Sequence, residues 1–477
     1  MRDLIVALFI LAALPVSFKR PVAGLMLFSL LAYMRIQDLT WGFARGMRWS
    51  FYVALVMFAG WAFQREKHAP TWNLRTGLLL FMPVWMFIGL IESRGFVHAA
   101  QSMRFLEYTK IIAVAFFTMM VVRRREHLRA IMWIIGGAFA FFGLKNGAAA
   151  LLSGGSLYII RGPGGMIEDN NAFALALAMA VPIIVGLATS ETNGYYRKWL
   201  KVCTPFIYMS VFATRSRGGF LSVVASTLVI VWRSRNRLAG LFLMTLAGMI
   251  GVIALSNSEM FTRLKSLQNV EEDGSATGRL EAWKVAGRMI EDQPVFGVGF
   301  MQFQRYYLDY GTRVQDRKEG SRVAHNAYLQ IWSEGGTPVF LAYVTLLLSS
   351  LFALQRLRRE ADRIYERSWI QSYCTAFEGA VVAFMIGSTF LDKAHFDLIY
   401  HYFALIIVFE RLARAEMKNP LGVVGATRRG VGGQLLRTQQ HGFRRKAAAG
   451  GGFRTTDLSP RTYRGGGGPS LADRQPS

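Results

Sequence analysis

Long apolar runs recur along the whole chain, and they constrain its fold more than any other feature of the sequence. The chain has 477 residues, of which 52% are hydrophobic, and its mean hydropathy is +0.28. A soluble domain cannot hide that much apolar surface, and the strands of a membrane barrel would instead be short and alternate in polarity. The sequence therefore predicts an all-α protein that crosses a membrane many times.

The apolar segments follow one another with short breaks, except at one place. They cover residues 4–18, 22–34, 51–63, 76–91, 105–122, 131–152, 172–188, 199–213, 220–232, 238–255, 327–354, 370–391 and 396–412. Several are too short to cross without tilt or bilayer thinning. We expect about twelve spans, with the first 34 residues forming one broken crossing; thirteen spans, with the N-terminus outside, is the alternative. The first segment lacks a small-residue cleavage pattern and is expected to be retained.

The formal charge of +25 indicates membrane topology better than it indicates nucleic acid. Lys and Arg lie mostly between apolar runs and in the C-terminal segment, which is typical of the positive-inside rule and of contact with lipid phosphates. The basic clusters at residues 123–125, 197–198, 233–237 and 356–367 therefore mark the cytoplasmic side. We expect membrane lipids and no nucleic acid as partners.

The less basic polar breaks between the apolar runs then all lie on the side of the membrane opposite the basic clusters. They lie at residues 153–171, 214–219, 256–324 and 392–395. The predicted regions are N-terminal transmembrane helices in 1–152, central helices with external Arg motifs in 153–255, a large external loop domain in 256–324, C-terminal helices in 325–412, and a disordered, basic cytoplasmic tail in 413–477. Only Cys203 and Cys374 are present, so the sequence supports neither a disulfide framework nor a cysteine metal site.

Two arginine-bearing turns are candidates for binding an anion. The sequence Thr-Arg-Ser-Arg-Gly-Gly at residues 214–219 places Arg215 and Arg217 at the hydrocarbon edge, where unpaired charge is costly. Side chains two apart on a helix diverge by about 200°, so they converge only if the helix breaks, for which we expect Gly218 and Gly219. Headgroup anchoring is the alternative.

Arg161 precedes a glycine-rich turn whose backbone amides are able to approach an anion. Asn171 is expected to cap the helix that follows. The alternative is that this segment simply connects two helices.

The large loop begins its regular structure at a predicted helix over residues 279–292. Its expected apolar face carries Leu280, Trp283, Gly287 and Ile290. Arg279 lies one turn before Trp283, so its guanidinium is expected against the indole, although most such Trp residues simply pack. Pro294 ends the helix, and glycines in 297–299 permit a tight return. The acidic run 271–273 is interpreted as a solvated turn rather than a metal site.

His325 stands at the mouth of the next apolar run. It is followed by Asn326 and Tyr328, and it is the one histidine in the large loop or at its edges. Histidine suits proton transfer near neutral pH and donates to phosphate when protonated. A structural role is the alternative for a lone interfacial histidine. The 392–395 break, which contains His395, is expected either to complete the site or to close it.

These motifs together resemble the O-antigen ligase and polymerase superfamily of bacterial envelope glycosyltransferases. The resemblance rests on residues 214–219, on 278–299 with Arg279 and Trp283, and on His-Asn-Ala-Tyr at 325–328 followed by Glu-Gly-Gly at 334–336. It spans about residues 150–412. The N-terminal region also resembles putative O-glycosylation ligases of exosortase-containing bacteria.

The resemblance implies a GT-C-like transferase in the bacterial inner membrane, with its site facing the periplasm. The implied donor is an undecaprenyl-pyrophosphate-linked glycan and the implied acceptor is lipid A-core oligosaccharide. The reaction would be inverting and metal-independent, with no cofactor and no bound metal. By motif position, the resemblance assigns catalysis to His325, Arg279 and Arg215, and glycan or pyrophosphate binding to Arg217, Arg161, Trp283, Asn326 and Tyr328.

The chemistry agrees with this assignment. Guanidiniums stabilise the charge that develops on a departing pyrophosphate, His325 is the best-placed base for an acceptor hydroxyl, and a single displacement inverts the anomeric centre. Three alternatives remain open: a polymerase, a protein O-oligosaccharyltransferase, and a transporter or flippase. Transport predicts ionisable residues at mid-membrane depth and repeat symmetry, whereas a purely structural scaffold would leave the external Arg and His free to change.

Overall fold

The structure analysed is a computed structural model, and it describes residues 1–92, 99–234, 236–238, 274–311, 321–418, 427–429 and 435–437. The chain divides into two units, Met1–Thr438 and Gln439–Ser477, and every described residue belongs to the first. The predicted apolar segment 238–255, apart from its first residue, and the acidic run 271–273 lie outside the described residues, as does most of the predicted tail.

The N-terminal part consists of helices that follow the apolar runs closely. They are α1 (Arg2–Lys19), α2 (Pro21–Tyr33), α3 (Phe43–Gly46), α4 (Trp49–Ala62), α5 (Leu74–Glu92), α6 (Ala99–Val121) and α7 (Arg125–Leu152), with a 3₁₀ turn at Ile36–Leu39. Only Arg20 separates α1 from α2, because Pro21 ends one helix and starts the next at its N1 position. The first 34 residues thus form two helices, which pack on each other and on α4.

The second half adds the remaining helices and a small sheet. The helices are α8 (Asn170–Ser190), α9 (Gly194–Ala213), α10 (Arg217–Arg233), α11 (Gly274–Asp292), α12 (Phe303–Tyr310), α13 (Ala327–Ile364), α14 (Trp369–Gly387) and α15 (Asp397–Lys418), with a 3₁₀ turn at Gly165–Ile167. Strands β1 (Tyr365–Arg367), β2 (Thr427–Arg429) and β3 (Leu435–Arg437) pair antiparallel in the order β1-β2-β3. The end of α15 and strands β2 and β3 fall within the range predicted as a disordered tail.

Five helices in the described ranges are long and apolar enough to cross a membrane: α5, α7, α8, α13 and α14. α8 lies at the centre of the helices and packs against α7, α9, α10 and α14. It is buried nearly all round, and a helix that is apolar on every side is expected in that position. The described residues are mostly helical, with one small sheet, and are compatible with the predicted multi-pass membrane architecture. The number of spans stays a prediction.

A break inside α13 positions the loop domain. Gly336 has φ 74° and ψ 177°, so α13 is two helices joined at a kink just before Pro338. The kink frees backbone groups for contacts with the end of the loop: the Thr337 amide donates to the Pro294 carbonyl at 2.8 Å, and the Val298 amide donates to the Ser333 carbonyl at 2.8 Å. The glycine-rich segment 294–299 is thereby fastened to α13.

The loop domain has a small apolar core of its own. It consists of Ala282, Val285, Ala286, Met289, Val298, Phe303, Tyr307 and Ala324. The predicted apolar face of α11 was therefore wrong: Leu280 is 48% exposed, and the buried face carries residues at positions 282, 285, 286 and 289 instead. Both faces have helical spacing, and the packing of α12 and Ala324 against α11 selects the one that is buried.

Substituting Gly336 tests the fastening at the α13 break. A Cβ at this position would lie 2.1 Å from the carbonyl oxygen of Val295, and the backbone is left-handed there. We expect Gly336→Ala to cost on the order of 1–3 kcal/mol or more, because a left-handed alanine and a backbone clash both oppose the native fold. Thermal unfolding of the purified protein in detergent measures the effect.

Gly137→Ala is the matched control, because a Cβ at Gly137 in α7 meets nothing within 4 Å. Its midpoint should stay close to that of the wild type or rise slightly. Equal midpoints for the two variants would contradict the role given to the break.

Candidate functional site

Contacts between the loops join the polar breaks that the sequence placed on one face. The Asn170 side chain donates from Nδ2 to the Thr214 carbonyl at 3.1 Å, and the Ser216 hydroxyl donates to Asn171 Oδ1 at 2.7 Å. These bonds connect the 153–171 break to the turn at 214–216. The Ser216 side chain also caps α10 by accepting from the Gly219 amide.

The break at 392–395 reaches the same place. Lys393 Nζ lies 3.5 Å from Asp169 Oδ2. Burial alone would raise the pKa of Asp169, but Lys393 and the amides of Ala172 and Asn171 hold it below its ordinary value. Asp169 therefore carries a negative charge beside Lys393, and its side chain caps α8.

His325 occupies a strained turn directly before α13. Its φ is 48°, a left-handed conformation that is uncommon for a residue with a Cβ. Asn326 follows as the N-cap, and its side chain accepts from the amides of Tyr328 and Leu329. The indole N–H of Trp283 donates to the Ala324 carbonyl at 3.1 Å. The positions on both sides of His325 are thus held by hydrogen bonds, which the surrounding structure needs in order to maintain a strained residue.

Charges from three separate segments act on the His325 imidazole. Burial lowers its pKa most, Arg279 and Lys393 lower it further, and Asp392 and Asp169 raise it, with a net result below the ordinary value. The neutral imidazole is therefore favoured near neutral pH. Arg279 and the 392–395 break thus both influence His325 electrostatically, while their roles in a site stay predictions.

A cavity of about 490 Å³ opens beside Asp169 and Lys393. Its lining is Ile160, Arg161, Gly165, Met166, Glu168, Asp169 and Lys393. Arg161 is exposed, and its backbone pairs with that of Asp169 in an isolated β-bridge. The site predicted at Arg161 is thus next to a cavity that carries both basic and acidic groups.

Sequence reasoning missed Arg35. This residue forms an ion pair with Asp38, and its guanidinium lies so close to Gly165 that a Cβ there would be 2.1 Å from Nη1. The ion pair of Arg35 and Asp38 therefore lies against Gly165, which lines the cavity, through a contact that only a glycine allows. It is one of several arginines in its loop, and no spacing in the sequence distinguishes it.

Arg215 and Arg217 are separated by a break, but the break is not where it was expected. Arg215 itself has φ 52°, and α10 starts at Arg217. Gly218 and Gly219 lie inside α10, so the prediction that they interrupt the helix was wrong. A Cβ at Gly219 would lie 2.3 Å from the Cβ of Ala174, which shows that this glycine serves close packing of α10 on α8. The Arg215 guanidinium lies over the Tyr158 ring, 4.8 Å from its centroid.

The helix cap at α8 is also different from the prediction. Asp169 accepts from the Ala172 amide and is the cap, whereas Asn171 lies within the first turn and accepts from Ser216. Aspartate and asparagine are equally good caps. The long-range partners of the two residues therefore decide which of them caps, and neighbouring sequence does not show those partners.

Two residues predicted to bind substrate make contacts within the protein. The Asn326 side chain accepts from two amides at the start of α13, and the Tyr328 hydroxyl donates to the Met385 carbonyl at 2.9 Å. Their observed role is to fix the start of α13 against α14, where the Ala327 amide also donates to the Ser388 carbonyl. Substrate contacts by Asn326, Tyr328 and Trp283 stay predictions.

Within the part of the chain that the structure describes, no group of three or more His, Cys, Asp or Glu is placed to hold a metal ion. Cys203 and Cys374 are buried and free.

Two family models match the sequence. Residues 205–344 match the model described as O-antigen ligase, and residues 1–192 match a family of unknown function, DUF5935. The first match encloses Arg215, Arg279 and His325 and ends before the 392–395 break. No curated protein matches the chain.

The charges around His325 predict opposite effects of two substitutions on its titration. Because Arg279 lowers the pKa of His325 and Asp392 raises it, Arg279→Gln should raise the midpoint and Asp392→Asn should lower it. The rate at which diethyl pyrocarbonate modifies His325 measures the neutral fraction as a function of pH, with peptide mass spectrometry as the readout. Arg305→Gln, on the exposed side of α12, serves as a control and should leave the midpoint unchanged. Shifts in the same direction for both site variants would contradict the arrangement.

Proposed function

We propose that this chain, whose residues 205–344 match the O-antigen ligase model, is an O-antigen ligase of the inner membrane. It transfers O-antigen polysaccharide from undecaprenyl pyrophosphate to a sugar hydroxyl of lipid A-core oligosaccharide. The reaction occurs at the periplasmic face, inverts the anomeric centre and needs no metal. The proposed architecture is GT-C-like, with about twelve spans.

The observation that carries the proposal is the environment of His325. An acceptor hydroxyl must lose its proton as it attacks the anomeric carbon, so the base has to be unprotonated before the reaction. Burial and neighbouring cations lower the pKa of His325, while Asp392 and Asp169 are close enough to stabilise the imidazolium that forms. His325 accepts the proton in this proposal, and the hydrogen bonds made by the Ala324 carbonyl and the Asn326 side chain hold the chain on both sides of it.

Arginines take the role of stabilising the leaving group. As the glycosidic bond to the pyrophosphate breaks, negative charge develops on the phosphate oxygens, and guanidiniums form short, charge-assisted hydrogen bonds with such oxygens. Arg279 acts on His325 in the structure, and Arg161 lines the cavity beside Asp169. Arg215 and Arg217 belong to the turn that Asn170 and Asn171 connect to this cavity. These cations supply the charge that a divalent ion supplies in other transferases.

Inversion follows from a single displacement. The acceptor oxygen attacks the anomeric carbon on the face opposite the pyrophosphate, His325 takes the acceptor proton, and the pyrophosphate departs with the bonding electrons. A double displacement would need a nucleophile to hold the glycan, usually one of a pair of carboxylates. Asp169 pairs with Lys393 and caps α8. In this proposal it therefore has an electrostatic and structural role and does not act as a nucleophile.

A polymerase is the nearest alternative, since it uses the same donor and the same leaving group. A protein O-oligosaccharyltransferase differs again only in its acceptor. The acceptor therefore distinguishes the three enzymes. The test is transfer by the purified protein from an undecaprenyl-pyrophosphate glycan in the presence of EDTA, offered lipid A-core, a second lipid-linked glycan or a Ser/Thr peptide.

A mass shift of lipid A-core in that reaction supports the ligase. Longer lipid-linked glycan would identify a polymerase, and a modified peptide would identify a protein transferase. Transfer that disappears with EDTA and returns with a divalent cation would contradict the metal-free mechanism.

Substitution of the proposed catalytic residues should abolish transfer without loss of the protein. We expect His325→Ala, Arg279→Ala and Arg215→Ala each to lower turnover on the order of 100-fold or more, because each removes a base or a charge-stabilising donor. Membrane fractionation should show normal amounts of all three. Arg305→Ala, an arginine of the same loop domain with an exposed side chain over Tyr306, should retain activity. Wild-type turnover in all three site variants would reject the proposed site.

A further inference from the structure

A buried acidic and imidazole pair lies behind the candidate site and is not used in the chemistry above. His395 Nε2 is 3.8 Å from Glu334 Oε2, and the two side chains are only 10% and 2% exposed. The distance is longer than a hydrogen bond but is that of an ion pair. Glu334 belongs to α13 and precedes its break, whereas His395 belongs to the 392–395 turn.

Each member of the pair has unmet polar groups. Glu334 Oε1 accepts from the Phe303 amide at 3.3 Å. Among the described residues, Glu334 Oε2 and both ring nitrogens of His395 have no hydrogen-bond partner. Buried polar atoms without partners are costly, so two such groups that face each other within ion-pair distance indicate mutual pairing.

Aromatic rings enclose the imidazole. The ring centroids of Phe300 and Tyr108 lie 4.7 Å and 4.9 Å from that of His395. These rings pack directly against the imidazole and keep water away from it. The Tyr400 hydroxyl donates to the Ala394 carbonyl at 3.1 Å, which fixes the backbone just before His395. Four parts of the chain meet here: α6, the loop after α11, the α13 break and the 392–395 turn.

The position of His395 in its turn connects the pair to the site. Asp392 and Lys393, which precede it by three and two residues, both act on His325, and Lys393 also binds Asp169. Glu334 lies on the same helix that starts immediately after His325. Holding His395 against Glu334 therefore holds Asp392 and Lys393 against the catalytic end of α13.

We propose that Glu334 and His395 are positioning residues: as a buried pair they fasten the 392–395 turn to α13 and so place Asp392 and Lys393 around His325. The pair itself does not contact substrate. Loss of either member leaves the other without its partner and releases the turn, which exposes His325 and misplaces its charged neighbours.

The test uses Glu334→Gln, His395→Gln and the double variant in the full-length protein. The first readout is diethyl pyrocarbonate labelling of His325 at about pH 8, where an imidazole is almost wholly neutral, so that the rate reports accessibility. We expect labelling of His325 to rise on the order of tenfold in both single variants, since it follows local opening of the turn. The buried His401 in α15 should keep its wild-type rate and serves as an internal reference.

Glu378→Gln is the matched control. Glu378 on α14 is 3% exposed and pairs with Arg233 of α10 at 2.9 Å. Its second partner, Arg358, lies 4.0 Å away near the C-terminal end of α13, the opposite end of that helix from His325. Its loss removes a buried ion pair of the same kind. We expect the thermal midpoint to fall while the labelling of His325 stays unchanged.

The second readout is glycan transfer, and this arm rests on the proposed function. Turnover should fall about tenfold in each single variant, with little change in the KM for donor, because small displacements of catalytic groups reduce rates by up to about 100-fold. The double variant should lose no more than either single variant, since the two residues act as one unit.

The two readouts separate failure of the inference from failure of the proposed function. Labelling needs no turnover, so it tests the pair even if the wild type transfers no glycan. Unchanged labelling of His325 in both single variants would overturn the proposal, as would an equal rise in every histidine or in Glu378→Gln. Loss of turnover with unchanged His325 labelling would assign His395 to the chemistry and also overturn the positioning role.

Discussion

The backbone hydrogen bonds between the segment 294–298 and the break in α13 determine where the parts of the candidate site lie. A break inside a buried helix leaves amides and carbonyls without helical partners, so another part of the protein has to bind them. Here the Val298 amide and the Pro294 carbonyl supply the partners. Gly297 and Gly336 make the approach possible, since a Cβ on either would clash with the opposing backbone. The stacking of Phe296 on Trp85 extends the same fastening to α5.

The contacts between this segment and α13 also determine the position of His325. α11 directly precedes the fastened segment, and the indole of its Trp283 donates to the Ala324 carbonyl just before His325. Asn326 caps α13 on the other side. A histidine in a left-handed conformation needs such support on both sides. The charges that tune it come from other breaks, and these are connected through Lys393 and Asp169. Backbone contacts and a helix cap thus position His325, and charged side chains from other segments set the pKa of its imidazole.

Much of the helical architecture was predictable from the sequence, because a chain in lipid must satisfy its backbone within helices and the apolar runs show where these helices are. Grouping the polar breaks was also possible, since alternation of basic clusters determines which breaks share a face. What failed were choices that depend on partners far away in the chain. The buried face of α11 was chosen wrongly because residues 280, 283, 287 and 290 have the same helical spacing as the true core positions. The helix break was predicted at Gly218 and Gly219, but it lies at Arg215. Gly219 instead packs closely on Ala174, and the neighbouring sequence carries no sign of that contact. Arg35 and the pairing of Glu334 with His395 depend on long-range contacts in the same way.

The central claim is that the polar breaks form one site in which guanidiniums hold a pyrophosphate beside His325. The most direct measurement is a cryo-electron microscopy structure of the His325→Ala protein with undecaprenyl pyrophosphate bound. We expect phosphate oxygens within about 3 Å of one or more of the guanidiniums of Arg279, Arg215 and Arg161, with the terminal phosphate nearest to position 325. A pyrophosphate bound at the other end of the helices, near Arg233 and Arg358, would contradict it.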